Sequence, residues 1–305
     1  IMLWHVYAAS ILLGITQALT MPARQAYIRS LVPREDTMNA VSLNAIQMHS
    51  ARIIWPSIGG VLISTIGVGF TIGVNAACFL IGIVALFFIR GVPSSTSSTR
   101  FSPINDLVEG LRFTISTITV RYILILGVAT GIFGMTFMHM TPGFARNELG
   151  FDATETGFMM MAIGVGGMLG SIVLMGVEVK EKTRLFVRLG LLLSVSLVAL
   201  SLNTSYYGSF IIMGIVGMVA FTHVIIAHTL FQLIVPSKYL GRVISLWGVN
   251  GGLISVFSLP IGILGEYMGL RWAFALPAVL LVPVTIWFGL IKNPLKHMPP
   301  EAPEE

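Results

Sequence analysis

The sequence predicts an all-α polytopic membrane protein with nine membrane spans, and two observations support this prediction. First, 55% of the 305 residues are hydrophobic and only 10% are charged, whereas soluble chains carry about 25% charged residues. Second, the charged residues leave seven long stretches free of charge. A bilayer core of about 30 Å needs about 20 helical residues, and each stretch is long enough. They are residues 1–23, 53–89, 122–145, 156–177, 189–237, 243–265 and 272–291.

Two of these stretches have room for two spans each. Glycines at 67–69 interrupt the first, and polar residues at 203–208 interrupt the second. Long, glycine-interrupted runs favour helices over the short alternating segments of a β-barrel, and a helix pairs its backbone groups internally, as lipid requires. The predicted spans are residues 2–23, 40–66, 69–89, 120–145, 156–177, 186–204, 208–232, 243–265 and 271–291.

The basic residues are distributed unevenly between the loops. With the loop at 24–34 in the cytoplasm, 15 of the 18 basic residues lie on the cytoplasmic side, Arg146 and Arg271 lie outside, and Arg52 lies within a span. This bias is typical of inner-membrane topology and places the C-terminus in the cytoplasm. It also explains the net charge of +5 without a nucleic-acid partner. The single cysteine, Cys78, lies within a span and has no intramolecular disulfide partner.

The predicted organisation has four parts. Residues 1–90 hold three spans, 91–119 form a cytoplasmic linker, 120–293 hold six spans, and 294–305 form a disordered tail rich in proline and glutamate. The linker begins with a flexible stretch rich in serine, threonine and proline.

The second part of the linker, residues 104–118, is amphipathic. Asp106, Glu109 and Arg112 recur at helical spacing. The opposite side carries the apolar residues Leu107, Val108, Leu111 and Ile115. This pattern predicts a helix that lies on the inner membrane surface.

An internal repeat relates the two ends of the chain. Val32-Pro33 followed by Ser42-Leu43 recurs as Val235-Pro236 followed by Ser245-Leu246, in each case 203 residues later. Three predicted spans precede the second copy and none precedes the first. We therefore expect three further spans upstream, giving twelve spans in two parallel halves, which is a known transporter architecture.

The residues around the first loop carry a family resemblance. The matching letters are Pro22-Ala23-Arg24-Gln25-Ala26, Leu31-Val32-Pro33-Arg34-Glu35, Asn39-Ala40 and Ser42-Leu43-Asn44. This pattern resembles the major facilitator superfamily, and in particular its branch of drug, macrolide and siderophore exporters. The resemblance covers nearly the whole chain. It implies the major facilitator fold, two six-helix halves with the first three helices missing, and it assigns Pro22, Arg24 and Arg34 to a cytoplasmic loop motif.

The second span extends the resemblance. Exporters of the superfamily carry Gly-x-x-x-Gly-Pro-x-x-Gly-Gly there. Pro56, Gly59 and Gly60 match this motif, and Ala51 replaces its first glycine. Trp55 replaces the second glycine and brings close helix packing at that point into question. The resemblance implies a bend and a close contact that prevent leakage during transport, whereas ordinary small-residue packing is the alternative.

Arg52 is the sharpest candidate for a site residue. It lies about 14 residues, or roughly 20 Å, before the outer end of its span, which places it in the inner half of the bilayer. A buried guanidinium needs a cavity or a partner. We therefore expect Arg52 to face a central cavity, with snorkelling to the cytoplasmic surface as the alternative.

Further candidates are polar side chains within or near spans. Histidine titrates near neutral pH, so the histidines are candidates for proton coupling, with a packing role as the alternative. The amides are candidates for substrate binding or for links between helices. These residues are Asn44, Gln47, His139, His223, His228 and Asn250.

The sequence lacks nucleotide-binding and catalytic motifs, including a phosphate loop. Together with the resemblance, this implies a secondary active transporter that exports a small amphipathic molecule by alternating access. We expect a proton as the coupling ion, a small-molecule substrate, no cofactor, and a monomer in the bacterial inner membrane. Two alternatives stay open: an importer of the same superfamily, and a membrane sensor or scaffold that does not transport. A membrane enzyme is disfavoured.

Overall fold

The structure is a computed structural model, and every regular element among the residues that it describes is helical. It describes residues 4–5, 7–16, 20, 37–88, 103–176 and 182–287. Pro22, Arg24 and Arg34 of the loop motif lie outside the described residues, as do the first part of the linker and the tail. Helical residues lie at all nine predicted span positions.

In chain order the helices are α1 (Tyr7–Thr16), α2 (Thr37–Phe88), α3 (Pro103–Ser116), α4 (Ile118–Ala129), a π-helical turn (Thr130–Met135), α5 (Phe137–Glu148), α6 (Ala153–Gly176), α7 (Lys182–Leu202), α8 (Tyr206–Ile234), α9 (Ser237–Met268) and α10 (Leu270–Ile286). From α3 onward, five residues or fewer separate consecutive helices. Three residues separate α7 from α8, and Gly269 alone separates α9 from α10. Gly269 has a φ of 90°, a conformation that favours glycine.

Among the described residues, six helical stretches are long and apolar enough to cross a membrane. The first runs from Ile54 to Phe88, and its 35 residues would extend about 52 Å as one helix, well beyond a core of about 30 Å. The backbone leaves the helical conformation at Gly67, where φ is 81° and ψ is 166°. This break coincides with the predicted boundary at 67–69 and divides α2 into two helical segments.

The chain divides into two compact units. The first comprises Ile1–Ala51 and Ile72–Thr99. Its described part contains α1 and the two ends of α2, where large apolar side chains such as Leu12, Leu43 and Phe87 are exposed. The second unit comprises Arg52–Thr71 and Arg100–Glu305 and contains the buried core. Its largest fully buried side chains include Phe144, Phe186, Phe231, Leu193 and Leu230.

Glycines produce the most extensive helix contact of the second unit, between α6 and α8. A Cβ atom on Gly166 would overlap the carbonyl oxygen of Gly214, and one on Gly217 would overlap the backbone of Ile163. A Cβ on Gly170 would lie 2.8 Å from the carbonyl oxygen of Met218. The two backbones therefore lie in direct contact, an approach that only glycine allows at these positions and that small residues commonly permit in membrane helices.

The fourth predicted span, 120–145, is not one uniform helix. Its α-helical pattern changes to a π-helical turn at Thr130–Met135. Two threonine hydroxyls donate hydrogen bonds to backbone carbonyls in this region. Thr130 Oγ1 donates to Leu126 O at 2.9 Å, and Thr136 Oγ1 donates to Ile132 O at 2.5 Å. Such bonds and π-helical turns are recognised causes of bent helices, and a hydropathy pattern does not reveal them.

An ion pair joins the ends of α5, α7 and α10 on the predicted outer side. Arg271 Nε donates to Glu148 Oε2 at 3.0 Å, and Arg271 Nη1 donates to the carbonyls of Ser201 and Asn203 at 3.1 and 3.0 Å. Glu148 Oε1 also accepts the N–H of Leu270 at 3.1 Å, which caps the start of α10. We call these residues the outer clamp.

We predict that Arg271→Gln lowers the free energy of unfolding by about 2–3 kcal/mol, because charged hydrogen bonds are lost and Glu148 keeps a half-buried, unpaired charge. Chemical unfolding in detergent measures the change. Arg188→Gln is the control, because Arg188 is an exposed basic residue, and its effect should stay within about 0.5 kcal/mol. Additive effects of Arg271→Gln and Glu148→Gln in a double-mutant cycle would contradict the clamp.

Candidate functional site

The exporter motif of α2 lies directly against the start of α6. A Cβ on Gly60 would lie 2.5 Å from the carbonyl oxygen of Ala153, and a Cβ on Gly157 would lie 2.6 Å from that of Pro56. One turn further along, Ser64 Oγ and Thr154 Oγ1 are 2.7 Å apart and share a hydrogen bond. The two helices therefore meet backbone to backbone at a pair of glycines.

Trp55 does not interfere with this contact. Its side chain is 60% exposed and lies away from the buried Gly60 surface. The motif glycine that Trp55 replaces is therefore not needed for the approach of α2 to α6. Gly59 also lies off the contact, because a Cβ there would have no atom within 4 Å.

A cavity of about 560 Å³ opens beside the glycine contact. Three helices form its walls, and most of the lining is apolar. Its lining residues are Pro56, Gly59, Gly60 and Ile63 of α2, Pro142 and Arg146 of α5, and Phe151, Asp152, Ala153, Thr156, Gly157 and Met160 at the start of α6. Three of the predicted motif residues therefore line one cavity.

Arg146 and Asp152 place opposite charges on the lining of this cavity. Asp152 is held in place by a capping box, since Glu155 N–H donates to Asp152 Oδ1 at 2.7 Å and Asp152 N–H donates to Glu155 Oε2 at 2.9 Å. Tyr206 OH donates to Glu155 Oε1 at 2.9 Å and ties this cap to the start of α8. Arg146 is exposed, so its guanidinium is accessible to a ligand at this position.

A second polar site lies near the middle of α9. Asn250 is buried, and its Nδ2 donates to the carbonyl oxygen of Gly127 at 3.2 Å. A Cβ on Gly131 would overlap the Asn250 amide, so the amide lies directly on the π-helical turn. Asn250 Oδ1 has no hydrogen-bond partner among the described residues. Buried polar groups are normally satisfied, and π-helical turns are frequent at functional sites.

Trp247 is the centre of an aromatic cluster next to this site. Its ring covers Gly127 and lies edge-on to the rings of His228 and Phe231, with centroids 5.7 and 5.5 Å away. The structure thus brings together two predicted residues, Asn250 and His228, through a tryptophan that the sequence did not single out. The signal for Trp247 was its spacing of three residues from Asn250, which places both on one helix face.

His223 lies apart from both sites, in the core. Its ring stacks on Phe186 with centroids 4.1 Å apart, and Nδ1 lies 3.1 Å from the carbonyl oxygen of Phe186. Its Nε2 has no hydrogen-bond partner in the part of the chain that the structure describes.

The remaining candidates lie elsewhere. His139 and Gln47 are exposed, and Gln47 belongs to the first unit. The side chains of Asn44 and Arg52 lie outside the described residues. Within the described residues, no three His, Cys, Asp or Glu side chains lie close enough together to hold a metal ion.

Residues 1–301 match the family described as Transmembrane secretion effector, a family of the major facilitator superfamily. The chain belongs to this family. Among its relatives is "Enterobactin exporter EntS" of Escherichia coli O1:K1 / APEC, and the protein of the same name from Shigella boydii serotype 18 is another. Each is 29% identical over 254 residues, which cover 80% of this chain and 56% of the relative. The chain therefore spans about half the length of the curated relatives it matches.

The fold is similar to a crystal structure of a bacterial homologue of the human lysosomal transporter Spinster in an inward-facing, unoccupied conformation. The TM-score is 0.58 at 14% identity, and the match covers 88% of this chain and 72% of the other. The family match and this likeness confirm the predicted all-α major facilitator fold.

We predict that Ser64→Cys and Thr154→Cys form a disulfide in a Cys78→Ser background, because the native hydroxyl oxygens are 2.7 Å apart. Gly60→Val should lower the yield at least about fivefold, since the added Cβ separates the two helices beyond disulfide reach. Gly59→Val is the matched control, because a Cβ at Gly59 has no atom within 4 Å. Equal yields in the two valine variants, measured by gel mobility, would contradict the glycine contact.

We predict that Gly131→Ala destabilises the protein by about 1–3 kcal/mol, because the new methyl group displaces the Asn250 amide in a packed interior. Thermal unfolding in detergent measures this loss. Gly251→Ala, beside Asn250 with no atom within 4 Å of its Cβ, should have little effect. Adding Asn250→Ala should recover part of the loss in Gly131→Ala, and an additive double variant would show that the two residues do not touch.

Proposed function

We propose that this protein is a secondary active transporter that exports a small amphipathic molecule, with a siderophore of the enterobactin kind as the first candidate. The observation that supports export is the contact of the exporter motif with α6 through Gly60 and Gly157. The relatives are enterobactin exporters by name, which points in the same direction. Alternating access between two arrangements of the helices is the mechanism that the major facilitator fold supports.

The lining of the cavity beside the motif supports an amphipathic substrate. Apolar side chains such as Ile63, Phe151 and Met160 provide most of its walls, and Arg146 and Asp152 provide two charges. A few polar groups in an apolar cavity are the usual basis of orientation and specificity for small molecules. The cavity lies near Gly67, the predicted outer end of the first segment of α2, where an exported molecule would pass on its way out. Substrate in the middle of the membrane would meet Asn250.

We assign the coupling of transport to a proton. His223 and His228 lie within spans on α8, and His139 lies on α5. His223 is packed in the core, so the partly buried His228 is the stronger candidate for carrying the proton. Histidine is the side chain whose protonation changes most readily near neutral pH.

Arg52, Asn44 and Gln47 are proposed as further residues that contact the substrate. Arg52 follows Ala51, the first position of the exporter motif, and a charged side chain within a span usually faces a cavity. The proposed setting is the bacterial inner membrane, with a monomeric protein and a cytoplasmic C-terminus. The proposed organisation keeps 91–119 as the linker between two transport halves.

The test is expression of the gene in an Escherichia coli strain that lacks its enterobactin exporter. Enterobactin is then measured in the medium and in the cells under iron limitation. We expect the gene to raise the ratio of external to internal enterobactin, and a protonophore to abolish the effect. A rise in internal enterobactin would indicate an importer, and binding of enterobactin without transport would indicate a sensor; either result would contradict the proposal.

In the same assay, Arg52→Ala should lower export by roughly tenfold or more, because a charge within a span is retained for function. Arg188→Ala is the matched control, because Arg188 is an exposed basic residue at the predicted cytoplasmic end of α7. Unchanged export by Arg52→Ala, at equal amounts of protein in the membrane, would remove Arg52 from the substrate path.

A further inference from the structure

One face of the amphipathic helix α3 packs against the start of α9. Glu109 Oε2 lies 3.0 Å from Arg242 Nη1, and Glu109 Oε1 lies 3.8 Å from Lys238 Nζ. The rings of Phe113 and Tyr239 are stacked with centroids 4.4 Å apart. A Cβ on Gly110 would lie 2.8 Å from the Arg242 Cβ, so the two helices touch closely. Glu109, which the sequence pattern placed on the polar side of α3, therefore attaches α3 to α9.

The opposite face of α3 is apolar and exposed. Val108, Leu111 and Ile115 are each about half exposed, at 50%, 45% and 54%. The same exposed apolar surface continues onto α4 at Ile118. Thr117 alone separates α3 from α4, so α3 lies at the end of a membrane-spanning helix. An exposed apolar strip at that level is continuous with the lipid-facing surface of the span, and its natural contact is the boundary of the bilayer.

The charge beside this strip is positive. Glu109 is neutralised by Arg242, and Lys238, the second cation near Glu109, has a side chain that is 69% exposed. Arg112 is exposed and follows Leu111 directly on α3. Lipid that covers the strip would therefore meet Arg112 and Lys238 at the level of the headgroups. Basic side chains next to the inner membrane surface favour anionic headgroups.

We propose that α3 is a binding surface for anionic phospholipid of the inner leaflet, held by lipid on its Val108–Leu111–Ile115 face and by α9 on its Glu109–Phe113 face. The ion pair and the ring stack transmit the position of α3 to α9. The same helix α9 carries Asn250, which contacts the π-helical turn. The lipid composition of the leaflet would therefore bias the arrangement of the transport helices. This inference does not depend on which molecule the protein transports.

The chain has one cysteine, so site-directed labelling is clean once Cys78 is replaced by Ser. Ile115→Cys and Ser116→Cys form a matched pair: the two positions are adjacent and both exposed, but they lie about 100° apart on the helix. Each variant of the full chain is labelled with an environment-sensitive fluorophore. It is then reconstituted in vesicles of phosphatidylcholine, or of phosphatidylcholine mixed with phosphatidylglycerol, that contain a shallow lipid quencher.

We expect quenching at least about twofold stronger at position 115 than at position 116, because only the first side chain enters lipid. Phosphatidylglycerol should increase the quenching at 115. Arg112→Gln should abolish that increase without removing the basal quenching, whereas Arg188→Gln should leave it intact. Equal quenching at the two positions would overturn the docking of α3. Quenching at position 115 that is the same with and without phosphatidylglycerol would overturn the recognition of anionic lipid.

Discussion

The structure depends on the way its helices attract one another in lipid. Lipid chains are as apolar as leucine, so burial of apolar side chains does not drive helices together as it does in water. Close contact must provide the attraction, at about 0.1–0.2 kcal/mol for each pair of atoms. Glycines at the contact points maximise the number of such pairs, because they let two backbones touch. The α6–α8 contact at Gly166 and Gly217 and the α2–α6 contact at Gly60 and Gly157 both follow this rule.

Polar side chains then fix the relative positions of the helices, which close packing alone does not determine. Asn250 fixes α9 to α4 through the Gly127 carbonyl, and Arg271 fixes α10 to the ends of α5 and α7. Each of these polar side chains reaches backbone carbonyls. This choice suits a membrane protein, because an unsatisfied carbonyl in a low-dielectric interior is expensive.

Much of the fold followed from the sequence, since span positions depend on hydrophobic length alone. The break at Gly67 was also predictable, because glycines there interrupt a stretch too long for one crossing. The π-helical turn was not, and its contact with Asn250 at Gly131 joins residues that lie far apart in the sequence. The same holds for the candidate site residues. Pro56 and Gly60 were predictable from their motif. Gly157 and the ion pair of Glu148 with Arg271 were not, because their roles depend on which helices lie next to each other.

The two glycine contacts of α6 differ in a way that matters for a protein that must change its arrangement. Toward α8, several glycines interlock with backbone along the helix. Toward α2, the contact is confined to Gly60 and Gly157, a cavity lies beside it, and one hydroxyl pair, Ser64 with Thr154, bridges it. A water molecule replaces such a hydroxyl bond with little loss. On these contacts, the α2–α6 contact costs less free energy to separate than the α6–α8 contact. In the proposed exporter, the contact that separates more easily therefore lies at the exporter motif.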